Sequence, residues 1–178
     1  ALHELCPDAG VQRMDTDAGA PVGSHEQLFE KFRTENIPLM VGTQMVTKGL
    51  NFENVTLVGV ISADQSLYAG NYRAGERSFS LITQVVGRSG RGEKPGRAVI
   101  QTFTPENETI IQAARQDYED FYASEITLRR MQQTPPFADL LAITASGQDE
   151  SQVVAACRSV MRRLEDGGEK LSILGPTP

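Results

Sequence analysis

A chain of 178 residues, of which 39% are hydrophobic and 22% charged, is long enough for one globular domain or slightly more. Seventeen lysines and arginines against 23 aspartates and glutamates give a formal net charge of −6, which excludes a protein that binds nucleic acid through its overall charge. Any contact with nucleic-acid phosphates is therefore expected from a local group of cations.

The two cysteines, Cys6 and Cys157, lie far apart and lack C-x-x-C spacing, so they predict neither a disulfide framework nor a zinc site. We interpret both as small buried hydrophobic residues. No apolar run approaches the roughly 18 residues of a membrane span, and no charged-then-apolar leader opens the chain. We expect a soluble, cytoplasmic protein without membrane contacts.

Four short apolar segments in the first part of the chain predict β-strands. Amphipathic stretches separate most of them, and this alternation predicts an α/β fold with a parallel sheet. The third segment is apolar almost throughout, which is typical of a central strand covered by helices on both faces. The four segments are residues 10–16, 38–43, 55–62 and 97–103.

Two helices are predicted among these strands. The first follows Ser24, a favourable N-cap, and places Leu28, Phe29 and Phe32 on one face. The second begins near Glu76 and turns its apolar face, which includes Ile82, toward the sheet.

The composition changes after Phe103. Residues 104–133 predict helices that end at the prolines, followed by a strand over 138–147, a helix over 149–168 and a short strand over 171–175. We expect a boundary near Thr104 and a second, small α+β domain of which only the start is present.

Polar residues follow the second predicted strand almost without an apolar break. Ligands of open α/β sheets bind at the carboxyl ends of the strands, and such a loop offers backbone N–H groups and hydroxyls to phosphates. An ordinary polar loop is the alternative. The residues are Gly42, Thr43, Gln44, Thr47, Lys48, Gly49 and Asn51.

Asp64 follows the third predicted strand and has the position of a magnesium-binding carboxylate in a nucleotide hydrolase. That role needs a G-x-x-x-x-G-K-[ST] motif, which the sequence does not contain. We therefore expect Asp64 to lie at the surface or at a domain interface.

The second predicted helix carries a polar stripe, since Gln84, Arg88 and Arg91 are spaced by four and three residues. Two adjacent guanidinium groups suit an oligophosphate. A solvated basic face paired with Glu76 or Glu93 is the alternative.

Glycine precedes each arginine of this stripe, as Gly87 and Gly90. Because glycine lowers helix stability, its presence here indicates close approach by a ligand or a second domain. Upstream, Arg73 and Arg77 lie near Tyr72, a grouping that suits a nucleic-acid backbone but also occurs on plain surfaces.

Residues 41–64 (VGTQMVTKGLNFENVTLVGVISAD) resemble motif V of superfamily-two helicases, and residues 84–92 (QVVGRSGRG) resemble motif VI. With residues 72–103 and the segment RRMQQTPPF at 129–137, these blocks resemble the primosomal replication-restart DNA helicases.

This resemblance implies a RecA-like second helicase lobe of the P-loop NTPase type over residues 1–104, partial at its start. It also implies a helical linker over 105–137 and a truncated C-terminal domain over 138–178. ATP and Mg²⁺ would lie between this lobe and a first lobe outside the chain. The chain alone is therefore expected not to hydrolyse ATP.

The resemblance also implies roles for single residues. Arg88 and Arg91 match arginine fingers, and Gln84 matches a glutamine near the phosphates or the attacking water. Gly49 and Asn51 match positions near the nucleotide, although many relatives have aspartate where Asn51 stands. The DNA-binding candidates are Gly42, Thr43, Gln44, Lys48, Arg73 and Arg77.

For the whole protein, the resemblance implies ATP-dependent 3′ to 5′ unwinding of forked DNA at single-strand–duplex junctions. Primosome and single-strand-binding proteins are the implied partners, and the implied zinc site has its ligands outside this chain. Two alternatives stay open, a lobe of a RecG-like fork translocase and a non-catalytic module that binds DNA or a partner. A Rossmann-type cofactor enzyme is disfavoured because no G-x-G-x-x-G follows a strand.

Overall fold

The computed structural model describes residues 2–14, 24–43, 54–89, 95–168 and 171–177. The chain divides into two compact units, Ala1–Gln132 and Gln133–Pro178. In chain order the elements are α1 (Leu2–Leu5), β1 (Val11–Met14), α2 (Ser24–Thr34), β2 (Leu39–Gly42), β3 (Leu57–Val60), α3 (Asp64–Leu67), α4 (Ala74–Val86), β4 (Arg97–Ile100), α5 (Glu108–Arg115), α6 (Tyr118–Gln132) and α7 (Glu150–Asp166).

The strands of the first unit pair in parallel, which confirms the predicted α/β class. β1 pairs with β2, and Val11 lies opposite Leu39; β3 pairs with β4, and Leu57 lies opposite Arg97. Each pair is separated in the chain by a crossover that contains a helix, as parallel strands require.

The described residues form two separate two-stranded sheets, so a single parallel sheet with helices on both faces stays a prediction. Each ladder is four residues long. Residues 44–53, which connect β2 to β3, lie outside the described part of the chain.

Coverage of the third strand on both faces is likewise not confirmed by the described residues. Leu57 on β3 and Val99 on β4 are 62% and 47% exposed. On the same strands Val60 and Ile100 pack against the core. The described residues therefore cover one face of this sheet.

The core of the first unit forms around α4. Phe79 and Ile82 of α4 are buried together with Ile110 and Ala113 of α5 and with Phe121 of α6. The rings of Phe79 and Phe121 stack with centroids 4.1 Å apart. The helices within the predicted linker thus belong to the compact unit that contains α4, and the division into lobe, linker and truncated domain stays a prediction.

The second unit contains α7, whose N-cap Asp149 accepts hydrogen bonds from the backbone N–H groups of Ser151 and Gln152 at 2.8 and 3.2 Å. The Ser151 hydroxyl, followed by these N–H groups, lowers the pKa of Asp149. α7 buries none of its residues.

The predicted strands of the second unit are wrong, since the described residues of 138–147 and 171–175 form no strand ladder. Leu141 in the first of these segments is 85% exposed. Apolar alternation predicts a strand, but a strand forms only when a second strand pairs with it.

The two cysteines are not buried as predicted, because Cys6 is exposed and Cys157 is half-buried. Among the described helices, none has the length and apolar character of a membrane span.

Asp64 lies at the start of α3 and is 7% exposed, so the expectation of a surface position is wrong. Its carboxylate accepts hydrogen bonds from the hydroxyls of Thr102 and Thr104 at 2.6 and 2.9 Å. The backbone N–H of Phe103 donates to it at 3.0 Å. These bonds join α3 to the segment that follows β4.

The same contacts favour the ionised carboxylate. The hydrogen bond from the Thr102 hydroxyl makes the largest contribution to lowering the pKa of Asp64, and burial acts in the opposite direction. The N–H of Phe103 and the hydroxyl of Thr104 lower the pKa further, so that it falls from 3.8 to about 2. The stability that Asp64 contributes is complete above its unfolded pKa and is lost as the pH falls toward the folded value.

Replacing Asp64 with Asn should lower the thermal unfolding midpoint at neutral pH, because the amide nitrogen cannot accept the hydrogen bonds that one carboxylate oxygen accepts. The difference from wild type should shrink between about pH 5 and pH 2 as the wild-type carboxylate becomes protonated. Circular dichroism melts across this range measure it, with the exposed Asp139→Asn as control. A difference that stays constant down to pH 2 would contradict the assignment.

Candidate functional site

The candidate residues that the structure describes on and near α4 fall into two groups. Arg73 and Arg77 lie at its N-terminal end, and Gln84 and Arg88 lie at its C-terminal end. At about 1.5 Å per helical residue, Arg73 and Arg88 are separated by roughly 20 Å along the helix direction. The structure therefore does not bring the two groups together.

α4 ends earlier than predicted. Its last residue is Val86, and residues 87–89 form a turn in which Arg88 N–H donates to the carbonyl of Val85 at 3.0 Å and Ser89 N–H to that of Val86 at 3.3 Å. The predicted continuous stripe through Arg91 is therefore wrong for Arg88, which is half-buried in the turn. Arg91 lies outside the described residues.

Gly87 is approached by a residue of this chain. A Cβ at this position would lie 3.1 Å from the Nε2 atom of Gln116, which donates a hydrogen bond to the carbonyl of Thr83 at 3.3 Å. Gln116 is the C-cap of α5 and has a φ of 57°. The predicted close approach at Gly87 is thus made by Gln116, and Gly90 lies outside the described residues.

Gln84 is exposed and donates a hydrogen bond to the hydroxyl of Ser80 at 3.3 Å. It lines a groove of about 460 Å³ on the first unit. Side chains of α4 and α6 line this groove, including Glu76, Thr83, Tyr118, Phe121 and Arg129. A ligand at this surface would meet the amide of Gln84 without displacing a core residue.

Two of the loop candidates lie in the described part of the chain. Gly42 ends β2 and Thr43 follows it, and both are exposed at the carboxyl end of a parallel strand, where ligands of α/β sheets bind. The remaining loop candidates lie outside the described residues; these are Gln44, Thr47, Lys48, Gly49 and Asn51.

The turn before α4 has a fixed backbone. Arg73 N–H donates to the side-chain oxygen of Asn71 at 3.0 Å, and Ala74 N–H donates to the carbonyl of Asn71 at 3.0 Å. Arg73 and Arg77 are both exposed. Arg73 in this turn and Arg77 on α4 can present two guanidinium groups to an anion.

Residues 4–93 match the family model of the helicase conserved C-terminal domain. The chain belongs to this family. The match agrees with the parallel α/β fold and implies a RecA-like second lobe. Gln84 on α4 and Gly87 and Arg88 in the turn after it belong to the Q-x-x-G-R-x-G-R segment, whose last two residues, Gly90 and Arg91, lie outside the described part of the chain.

The curated relatives extend the match beyond this domain. The chain is 41% identical over 177 residues to the replication restart protein PriA of Bacillus subtilis and 39% identical over 179 residues to that of Synechocystis. It is 46% identical over 140 residues to PriA of Chlamydia trachomatis. These alignments cover 99%, 100% and 79% of this chain but 22%, 22% and 19% of the relatives. The similarity to replication-restart proteins is thus confirmed over a chain that spans about a fifth of their length.

One arginine near the helicase C-terminal domain was missed by the sequence analysis. Arg129 of α6 donates hydrogen bonds to Glu125 of the same helix and to Glu76 of α4, both at 2.8 Å. Burial opposes its charge, but the two carboxylates outweigh burial and raise the pKa of Arg129. The i,i+4 spacing of Glu125 and Arg129 was visible in the sequence, whereas the pairing with Glu76 was not.

Metal binding has no support in the described part of the chain, where no group of three or more histidine, cysteine, aspartate or glutamate residues could hold an ion. Asp64, the acid at the end of the third strand segment, instead accepts three hydrogen bonds from residues 102–104.

Replacing Phe121 with Ala should lower the free energy of unfolding by about 3 to 5 kcal/mol, because Phe121 is 5% exposed and stacks on Phe79. Urea denaturation followed by circular dichroism measures the loss. The neighbouring Tyr122 is 50% exposed, so Tyr122→Ala is the matched control and should cost much less. Equal losses in the two variants would show that this stack does not hold α4 in place.

Proposed function

We propose that this chain forms the second motor lobe of an ATP-dependent DNA helicase that acts in replication restart. The observation that carries the proposal is the position of the motif VI residues. The buried face of α4 packs in the core, while Gln84 is exposed near its C-terminal end and Arg88 follows in the adjoining turn. The family match and the similarity to replication restart proteins support the same function.

We assign Arg88, in the turn after α4, and Arg91 the role of arginine fingers toward ATP. A guanidinium group stabilises the negative charge that develops on the transferred phosphoryl group. Gln84 would orient the attacking water or contact the phosphates, and Gly49 and Asn51 would lie near the nucleotide.

Mg²⁺, where bound, neutralises phosphate charge. The described residues of this chain do not provide a carboxylate cluster for it. By the resemblance to replication-restart helicases, its ligands, like the phosphate loop, would lie on the first lobe of the parent protein. Zinc likewise stays a prediction for the parent protein.

The DNA-binding side of the proposal rests on exposed groups that suit phosphates. Gly42 and Thr43 offer backbone and hydroxyl groups at the end of β2, and Arg73 and Arg77 offer cations before and on α4. Contacts to the DNA backbone carry no sequence information, which suits a motor that moves along any sequence. Gln44 and Lys48, which lie outside the described residues, are assigned the same DNA-binding role.

The properties of the parent helicase extend the proposal. We infer 3′ to 5′ polarity, action at forked DNA and partnership with primosome and single-strand-binding proteins from the resemblance to replication-restart helicases. α4 would connect the nucleotide end and the DNA end of the lobe as one rigid element.

In the full-length protein, replacing Arg88 or Arg91 with Ala should lower the DNA-stimulated ATPase rate by about 10³-fold or more, because each removes charge stabilisation in the transition state. Affinity for single-stranded DNA should stay within about twofold of wild type, since neither residue is assigned to the DNA contact. Steady-state ATP hydrolysis and fluorescence anisotropy measure the two quantities.

Arg115→Ala is the control for this experiment, because Arg115 is exposed in the last turn of α5 and has no assigned role. Its ATPase rate should equal that of wild type. Wild-type turnover in both the Arg88 and Arg91 variants would exclude the finger assignment and would favour a non-catalytic module.

A further inference from the structure

Arg129 is held by two carboxylates from different helices. Its Nη2 atom donates to Oε2 of Glu76 on α4, and its Nε atom donates to Oε1 of Glu125 on α6, both at 2.8 Å. The Arg129 side chain is 14% exposed. Because the guanidinium group is planar and its donors have fixed directions, two bonds to two helices determine its orientation.

Tyr72 links this arginine to the turn before α4. The Cζ atom of Arg129 lies 5.4 Å from the centroid of the Tyr72 ring, and the Cζ atom of Arg73 lies 5.6 Å from the same centroid. Both distances are within the roughly 6 Å range of cation–π attraction. The ring therefore contacts one arginine of α6 and one arginine of the turn.

The two arginines differ in what surrounds their charges. The charge of Arg129 is offset by Glu76 and Glu125. Arg73 is exposed and makes no ion pair with another described residue. Of the two cations at the ring, Arg73 is thus the one that is available to an external anion.

We propose that Arg129 is a positioning residue that acts through Tyr72 to hold Arg73 in place for the phosphate backbone of DNA. The backbone of Arg73 is already fixed by Asn71, so the direction of its side chain is what remains to be set. Ordering a long side chain before binding reduces the entropy that binding must overcome. This inference rests on the DNA contact assigned to Arg73 in the proposed function.

The consequence is a physical link between α6 and the DNA contact. Glu76 and Arg73 lie one turn apart at the start of α4, and Arg129 lies near the end of α6. A shift of α6 relative to α4 would therefore move the ring on which Arg73 rests.

A double-mutant cycle tests the inference in the full-length protein, with fluorescent single-stranded oligothymidine of about 20 nucleotides as the probe. Arg73→Ala should weaken binding about five- to eightfold near 0.1 M salt and reduce the slope of log K against log salt by about 0.7 to 0.9, the loss of one phosphate contact. Arg129→Gln should reproduce most of both changes. The double variant should bind like Arg73→Ala alone.

Tyr72→Leu is the second test, because Arg129→Gln leaves two carboxylates unpaired and could unfold the protein. This variant removes the shared ring without leaving a buried charge, and it should also reduce the affinity and the salt slope. Arg115→Gln, an exposed arginine on α5, is the matched control and should bind like wild type.

The outcomes separate this inference from the proposed function. The positioning role would be overturned if Tyr72→Leu bound DNA like wild type. It would also be overturned if the losses of Arg73→Ala and Arg129→Gln were additive and Arg129→Gln kept the wild-type salt slope. Either result would leave the DNA contact of Arg73 standing. Wild-type binding by Arg73→Ala would overturn the DNA contact itself, and the inference with it. The arginine-finger assignment is tested by ATP hydrolysis and is independent of both results.

Discussion

The stacking of Phe79 on Phe121 holds α4 against α6, and the described candidate residues on and beside this helix depend on it. Buried aromatic rings contribute large apolar areas, and their removal leaves cavities that a small core cannot close. Because α4 is fixed on its buried side, its two ends keep a constant separation. The proposed nucleotide contact at Arg88 and the proposed DNA contact at Arg73 are therefore parts of one rigid element, which suits a motor that couples two ligands.

Local arrangement of charge matters more here than the net charge. The chain is acidic, with a formal charge of −6, yet its candidate phosphate contacts are cationic. The structure shows how this is achieved near Arg73, where Glu76 and Glu125 are engaged by the partly buried Arg129 and Tyr72 lies beside the exposed guanidinium. An acidic surface elsewhere limits indiscriminate binding to nucleic acid, since long-range attraction depends on the overall field.

Several expectations from the sequence failed for identifiable reasons. The helical spacing of Gln84, Arg88 and Arg91 predicted one stripe, but the chain leaves the helix at Gly87, where Gln116 of α5 approaches. Asp64 was expected at the surface or at a domain interface, and its burial could not be read from the sequence because its hydrogen-bond donors lie 38 to 40 residues away. The apolar alternation of residues 138–147 predicted a strand, yet the described residues of the second unit supply no strand to pair with it.

The sequence by itself determined the parallel α/β class and the helicase family. Both are encoded locally, in the alternation of apolar strands with amphipathic helices and in motif residues that lie within a few positions of one another. The tertiary structure decided the pairing of Glu76 with Arg129, which are 53 residues apart, and the sharing of Tyr72 by Arg73 and Arg129. Such contacts arise from the packing of α6 on α4, and no spacing within either helix specifies which charged residues that packing brings together.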